Sequence, residues 1–257
     1  MVTPATAILT PSPRPGGLLS VTLPLEGAWE RGLYVFAGSV LSPDRVGPCP
    51  VESGEPQPPG GATRFDPVVV RLGVLCSAMG RPDVTGLADA AVEATAAWAL
   101  SAELYDGAAT GNPSLVDAVD LGEAVSVTHA LGLLEEDADQ ALSGRLAVIH
   151  VPVGLSSYLG DMVYRDGNVW RTKAGNLVAI HGQGNTAYVT GQVWSAFTTV
   201  ESTEYTNPGT NITEGWSDVL ALVAFDPDYI ASIGIPAETS SSSPTPPASS
   251  PTSPTDL

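Results

Sequence analysis

"GRLAVIHVPVGLSSYLG", residues 144–160, is the stretch on which the fold turns. Leu146 to Val151 is apolar but for His150, which predicts a buried strand, and Pro152 and Gly154 end it. A short helix is predicted around Ser156 to Leu159. A histidine at a strand end, followed by glycine and two serines, also suits a catalytic loop. The elements on either side have to decide between a structural strand and an active site.

Immediately upstream, residues 121–142 read as a helix. Leu121, Val125, Thr128, Leu131, Leu134, Ala138 and Leu142 trace one face, and Ser143-Gly144 stop it. Asp120 and Glu123 are spaced as a capping box with Asp in place of Ser or Thr. Glu135, Glu136, Asp137 and Asp139 are expected on its solvated side, because consecutive carboxylates point in different directions around a helix and do not converge on a metal. The clearest helix lies further back, at Asp83–Asp106, with Asp83 or Thr85 to cap its start and Gly107 to end it. Leu87, Ala91, Ala94, Trp98 and Tyr105 fall near one face, widened by Val92, Ala96, Ala99 and Leu100. Trp98, the largest of these, is expected to pack beneath an overlying sheet. Such a helix is roughly 35 Å long, enough to serve as a backbone for other elements.

Ahead of that helix, residues 20–41 read as extended segments broken by Pro24, Gly27 and Gly32, and residues 68–76 as a strand. Between them lies "SPDRVGPCPVESGEPQPPGGATRFDP", a Pro- and Gly-rich segment whose length calls for a function or a partner. Together they have the pattern of a large two-stranded excursion. Residues 1–17 are Pro-rich, with Ile8 and Leu9 able to anchor an extended arm. Downstream the chain is mostly β: Asp166-Gly167 marks a hairpin turn, Gly182-Gln183-Gly184-Asn185 separates two strands, and residues 216–227 and 229–236 read as further strands. From Glu238 a Ser/Pro/Thr tract offers almost nothing to bury and is expected to be disordered.

The chain carries 28 acidic and 10 basic residues, a formal charge of −18, which argues against gripping a phosphate backbone and hence against sequence-specific nucleic-acid binding. No apolar run is long enough to span a bilayer, and no secretory signal is evident. Cys49 and Cys76 lack metal-ligand spacing and leave either a single bridge or two free thiols, of which free thiols are favoured. Of the histidines, His129 lies on a helix, while His150 and His181 meet only if their strands are neighbours. Ser156 and Ser157 lack the nucleophile elbow, the Gly-x-Gly at 182–184 lacks a third glycine and a following helix, and Asp226 and Asp228 flank a turn proline. No catalytic, cofactor-binding or metal-binding residue is assigned. His150 is expected to end a strand and do no chemistry.

The order of elements resembles the tailed-phage major capsid proteins of the Hong Kong 97-type fold, which encapsulin shells share. The likeness spans about residues 18–236. "SAELYDG" (101–107) resembles the end of that fold's spine helix, and "GRLAVIHVPVGLSSYLG" its axial-domain strand and helix. "NVWRTKAGNLVAIHGQGN" (168–185) and "AYVTGQVWS" (187–195) are similar to the strands that follow, and the Ile-His-Val-Pro run to structural proteins of actinobacterial phages.

The resemblance implies an α+β chain divided into an N-terminal arm (1–35), an extended loop (36–72), a peripheral domain with the spine helix (73–119), an axial domain (120–225), a closing strand of the peripheral domain (226–236) and a tail (237–257). It implies a non-enzymatic shell subunit. Its partners are copies of itself in hexamers and pentamers, with portal, scaffolding or decoration proteins as further ones. It resides in the virion and is assembled in the host cytoplasm. Some shells of this fold cross-link through a loop lysine, whereas residues 36–72 here contain none, so non-covalent contacts are implied. The rival readings are a virion accessory protein, such as a decoration or tail component, and a hydrolase using His150 and Ser156.

Overall fold

The computed structural model describes residues 16–27, 29–36, 62–77, 83–227 and 229–236. In chain order these hold β1 (Leu23–Pro24), β2 (Leu33–Phe36), β3 (Ala62–Phe65), β4 (Val68–Ser77), helix α1 (Val84–Asp106), β5 (Val119–Glu123) and helix α2 (Val127–Ala141). Then come β6 (Val148–Val151), β7 (Val163–Asp166), β8 (Val169–Thr172), β9 (Leu177–Ile180), β10 (Thr186–Thr190), β11 (Val193–Phe197), β12 (Glu201–Asn207), β13 (Ile212–Phe225) and β14 (Ile230–Gly234). Among the described residues β13 organises a five-stranded sheet with β1, β4, β11 and β12. A seven-stranded sheet runs β5-β14-β10-β6-β9-β8-β7, and β2 pairs with β3 alone.

Helix α1 starts where the Asp83 carboxylate accepts a hydrogen bond from Gly86 N at 2.9 Å. It ends at Gly107, whose φ of 60° is left-handed and whose N–H donates to Glu103 O at 2.8 Å. An added Cβ on Gly107 would lie 2.3 Å from Asn112 O, so the glycine is required twice over. Glu103, in the last turn, is buried and accepts from the Thr110 hydroxyl and from Ala109 N, which ties down the loop behind the helix. The face turned to the sheet is Val84, Ala88, Val92, Ala96, Leu100 and Leu104. Trp98 is 69% exposed, so the expectation that it fills the space under a sheet is wrong. The helix is apolar on most sides and both stripes keep helical spacing, so periodicity alone does not choose between them. Two residues from Ala96 is about 200° of helix, which turns Trp98 away from the strands.

Helix α2 begins later than its sequence pattern suggests. Ser126 caps it by accepting from His129 N at 3.2 Å, and residues 119–123 instead form an edge strand parallel to β14. Asp120 and Glu123 are therefore strand residues and not a capping box; Asp120 accepts from Gly122 N, and Gly122 takes a left-handed φ of 97°. Val127, Ala130, Leu131, Leu134, Ala138 and Leu142 are buried, whereas Val125 and Thr128 face solvent. The acidic cluster is split. Glu136 and Asp139 are exposed, but Glu135 accepts from the Thr172 hydroxyl and from Asn176 Nδ2, and Asp137 accepts from Tyr229 OH at 2.9 Å.

Two buried clusters lie on opposite faces of the seven-stranded sheet. Val148, Ala179 and Tyr188 join the cluster of α1 and β13, while Ile149, Val151, Val178 and Val189 join that of α2. Every residue of β6 is buried, which is why its sequence is apolar without alternation. The chain passes between sheets at Gly191-Gln192 and again at residues 226–229, and an added Cβ on Gly191 would sit 3.4 Å from that of Asp226.

Strands β11–β13 lie in the five-stranded sheet that carries α1, and β14 lies in the seven-stranded sheet. Leu18, Val21, Trp29 and Val35 are core residues, and β1 pairs with β11. Strands β2 and β3 form a two-stranded base, paired from Leu33–Phe65 to Phe36–Ala62. Asn112 clamps that base, accepting from Asp66 N at 2.7 Å and donating to Asp66 O at 2.8 Å. Cys76 is a free thiol. The expectations for residues 1–15, the loop tip with Cys49, and the tail fall outside the described residues.

Leu100→Ala is expected to cost about 2–5 kcal/mol in urea denaturation of the subunit, as buried large-to-small changes do. Val125→Ala, at a position 81% exposed, is expected to stay within about 0.5 kcal/mol.

Candidate functional site

Parallel pairing of β6 with β9 sets His150 opposite Ala179, and His181 follows the end of β9 with its N–H donating to Val151 O at 3.1 Å. The two rings meet edge to face, with His150 Nδ1 2.7 Å from His181 Nε2. His150 Nε2 lies 3.0 Å from Thr190 Oγ1 on β10. The Thr190 hydroxyl donates to Gly191 O at 3.0 Å and therefore accepts from His150 Nε2–H. His150 Nδ1 must then accept from His181 Nε2–H, which leaves His181 Nδ1 as a bare lone pair. Among the described residues that atom is buried and has no hydrogen-bond partner.

Burial dominates the electrostatics. Desolvation pushes His150 well below the usual imidazole range, with the neighbouring His181 adding to the shift, and it pushes His181 down to about 4. Both rings are neutral at pH 7. Tyr188 and Tyr105 lie on the same side of the sheet, with their hydroxyls 3.2 Å apart. Burial and that contact push the Tyr188 phenol upward.

No Ser–His dyad forms. Both His150 nitrogens are engaged by His181 and Thr190, and the Ser156 hydroxyl donates to Val153 O at 2.7 Å in the short turn of residues 153–158. Among the described residues no group of three or more His, Cys, Asp or Glu side chains could hold a metal ion. His129, at the start of α2, is exposed and its Nδ1 accepts from Val125 N at 3.4 Å. The sequence reading allowed for the histidine contact but gave no sign of Thr190, Asn112 or Glu103, whose partners are distant in sequence or lie in irregular loops. Beside the pair lies a groove of about 1070 Å³ between α1, the turn at residues 17–20 and the end of β9. His181 and Tyr105 are on its wall, and the exposed Trp98 is at its edge.

No family model matches the chain, and no curated protein matches it. Solved structures do. A structure of Gordonia phage Cozz aligns over 86% of this chain and 86% of that one, with a TM-score of 0.56 and 13% identity. The capsid of a native GTA particle aligns over 92% and 96%, with a TM-score of 0.59 and 10% identity. A virus-like particle from Pyrococcus furiosus aligns over 84% and 92%, with a TM-score of 0.51 and 11% identity. The chain has the Hong Kong 97-type fold. Helix α1 is its longest described helix, and β6 is an interior strand of the seven-stranded sheet. His150 is thus a buried sheet residue whose two ring nitrogens are satisfied by Thr190 on β10 and by His181 just beyond β9.

The two depressed histidines make stability depend on pH with a definite sign. The unfolded chain binds protons from about pH 6.5 downward while the folded pair does not, so stability falls as pH drops through 6.5 toward 4. For His181 alone the full loss is roughly 3 kcal/mol. Urea midpoints between pH 7.5 and 5, above the range where most carboxylates titrate, are expected to fall for the wild type and to be flatter for His150→Gln/His181→Gln.

Proposed function

We propose that this chain is a structural, non-enzymatic shell subunit that self-assembles into the icosahedral head of a tailed phage enclosing double-stranded DNA. The carrying observation is the alignment with a capsid subunit over nearly the full length of both chains. The loop between β2 and β3 reaches neighbouring subunits in hexamers and pentamers, where the buried area offsets the cost of ordering a Pro- and Gly-rich segment. Portal, scaffolding or decoration proteins would be further partners, and assembly would take place in the host cytoplasm. With no lysine in residues 36–72, the shell is held by non-covalent contacts. A charge of −18 favours a wall that does not grip packaged DNA.

Sedimentation velocity tests this directly. The full chain is expected to form large closed particles or capsomers. Replacing residues 37–61 by a short turn is expected to abolish large particles while leaving the urea midpoint of the subunit nearly unchanged. A full chain that stays monomeric and binds preformed shells would make it an accessory protein. Unimpaired assembly without the loop would remove the proposed contact.

A further inference from the structure

The two outer edges of the sheet under α1 are not alike. Among the described residues β4 and β12 each pair only with β13. We propose that the open edge of β4 is an interface to a second copy of this chain, whose own β4 pairs with it antiparallel across a two-fold axis. This interface rests on the shell reading, which supplies the second copy, but not on the shape of the particle.

A strand edge is a row of unpaired N–H and C=O groups, and proteins guard it with charges, prolines, bulges or shortness. Strand β12 is guarded. Glu201 and Glu204 lie on it, exposed, so two copies laid edge to edge would crowd like charges along the seam. Strand β4 has none of these devices. It runs for 10 residues opposite β13 without a register shift, and residues 68–77 contain neither a carboxylate nor a proline. Its one charge, Arg71, is turned toward β13, where it donates two hydrogen bonds of 2.6 Å to the Asp218 carboxylate. Val70 is buried on the side of α1, so Val69 and Leu75 stand on the opposite face, 57% and 65% exposed.

The side chains choose the register. Directly opposed residues of an antiparallel pair point to the same face, so a two-fold axis normal to the sheet passes between one residue and its own copy. With the axis at Leu72, Val69 lies opposite the second copy's Leu75 and Leu75 opposite its Val69, which covers both exposed side chains. Arg71 then faces a glycine, Gly73, and keeps its bond to Asp218. An axis at Arg71 would set two guanidinium groups against each other, and one at Gly73 would put Arg71 against Leu75. On the face of α1, Val70 meets Val74 and Leu72 meets its own copy, all apolar. The helices also fit. Three strand spacings of about 4.8 Å set the two β13 strands about 14 Å apart, which exceeds the roughly 8–10 Å at which helices pack.

The test is a cysteine pair at the two exposed positions, Val69→Cys with Leu75→Cys, in the full chain with Cys49→Ser/Cys76→Ser, mildly oxidised and mapped by peptide mass. Within one chain the two positions are about 20 Å apart along the strand, too far for a disulfide. A dominant 69–75 link between chains is expected, with 69–69 and 75–75 links scarce because those pairs are also about 20 Å apart across the axis. No link, or links without that preference, overturns the interface. Leu75→Lys, at an exposed position, is expected to lose most of the association seen by sedimentation velocity while the urea midpoint of the subunit is unchanged; undiminished association overturns the interface. Closed shells without the 69–75 link would sink this interface and leave the shell reading standing. The link in dimers that never form shells would do the reverse.

Discussion

The seat of α1 on β13 is the contact on which the rest depends. At Gly215 the strand carries no side chain, and an added Cβ would stand 2.7 Å from Val84 O and 3.1 Å from Thr85 N, so the first turn of the helix rests almost on the strand backbone. From there Ala88, Val92, Ala96 and Leu100 run along the sheet, their small side chains keeping the helix close. Strand β13 is long enough to pair with β4 along one edge and with β12 and then β11 along the other. Strand β11 follows β10 after two residues, and β14 follows β13 after four, so the sheet under the helix is tied to its neighbour at two adjacent crossings. A fault at Gly215 would be felt in both sheets.

The second sheet solves a different problem, because β6 is covered on both faces. A histidine in such a strand has to find partners inside the protein or leave a buried polar group unpaired. Thr190 and His181 supply them, at the expense of one bare nitrogen on His181 and of two imidazoles held neutral. That arrangement spends both His150 nitrogens on His181 and Thr190, and the Thr190 hydroxyl on Gly191 O.

Much of the fold was legible because it is written in local chemistry. Asp83 and Gly107 bracket α1, residues 167–168 turn the β7–β8 hairpin, and the run before Pro152, apolar but for His150, is the doubly covered β6. What was not legible depends on partners far along the chain. Nothing local says which stripe of an all-apolar helix faces a sheet, so Trp98 was misplaced. A Leu-Gly-Glu run is compatible with a helix start until β14 offers it an edge to pair with. The exchange of β11–β13 and β14 between sheets follows from pairing across more than 100 residues, such as β4 with β13, and no window of sequence carries it. For the site, the contact between His150 and His181 was open to anticipation only as a condition on strand neighbours, and the parallel β6–β9 pairing meets that condition.

On the proposed reading, the two interlocked sheets are the body of a shell subunit and the β2–β3 stem carries its contact to neighbours. Cryo-electron microscopy of the purified full chain tests this most directly. Closed icosahedral shells are expected, with the seven-stranded sheet of each subunit gathered around the symmetry axes and α1 lying away from them. Isolated monomers, open tubes or tail-like stacks would contradict it.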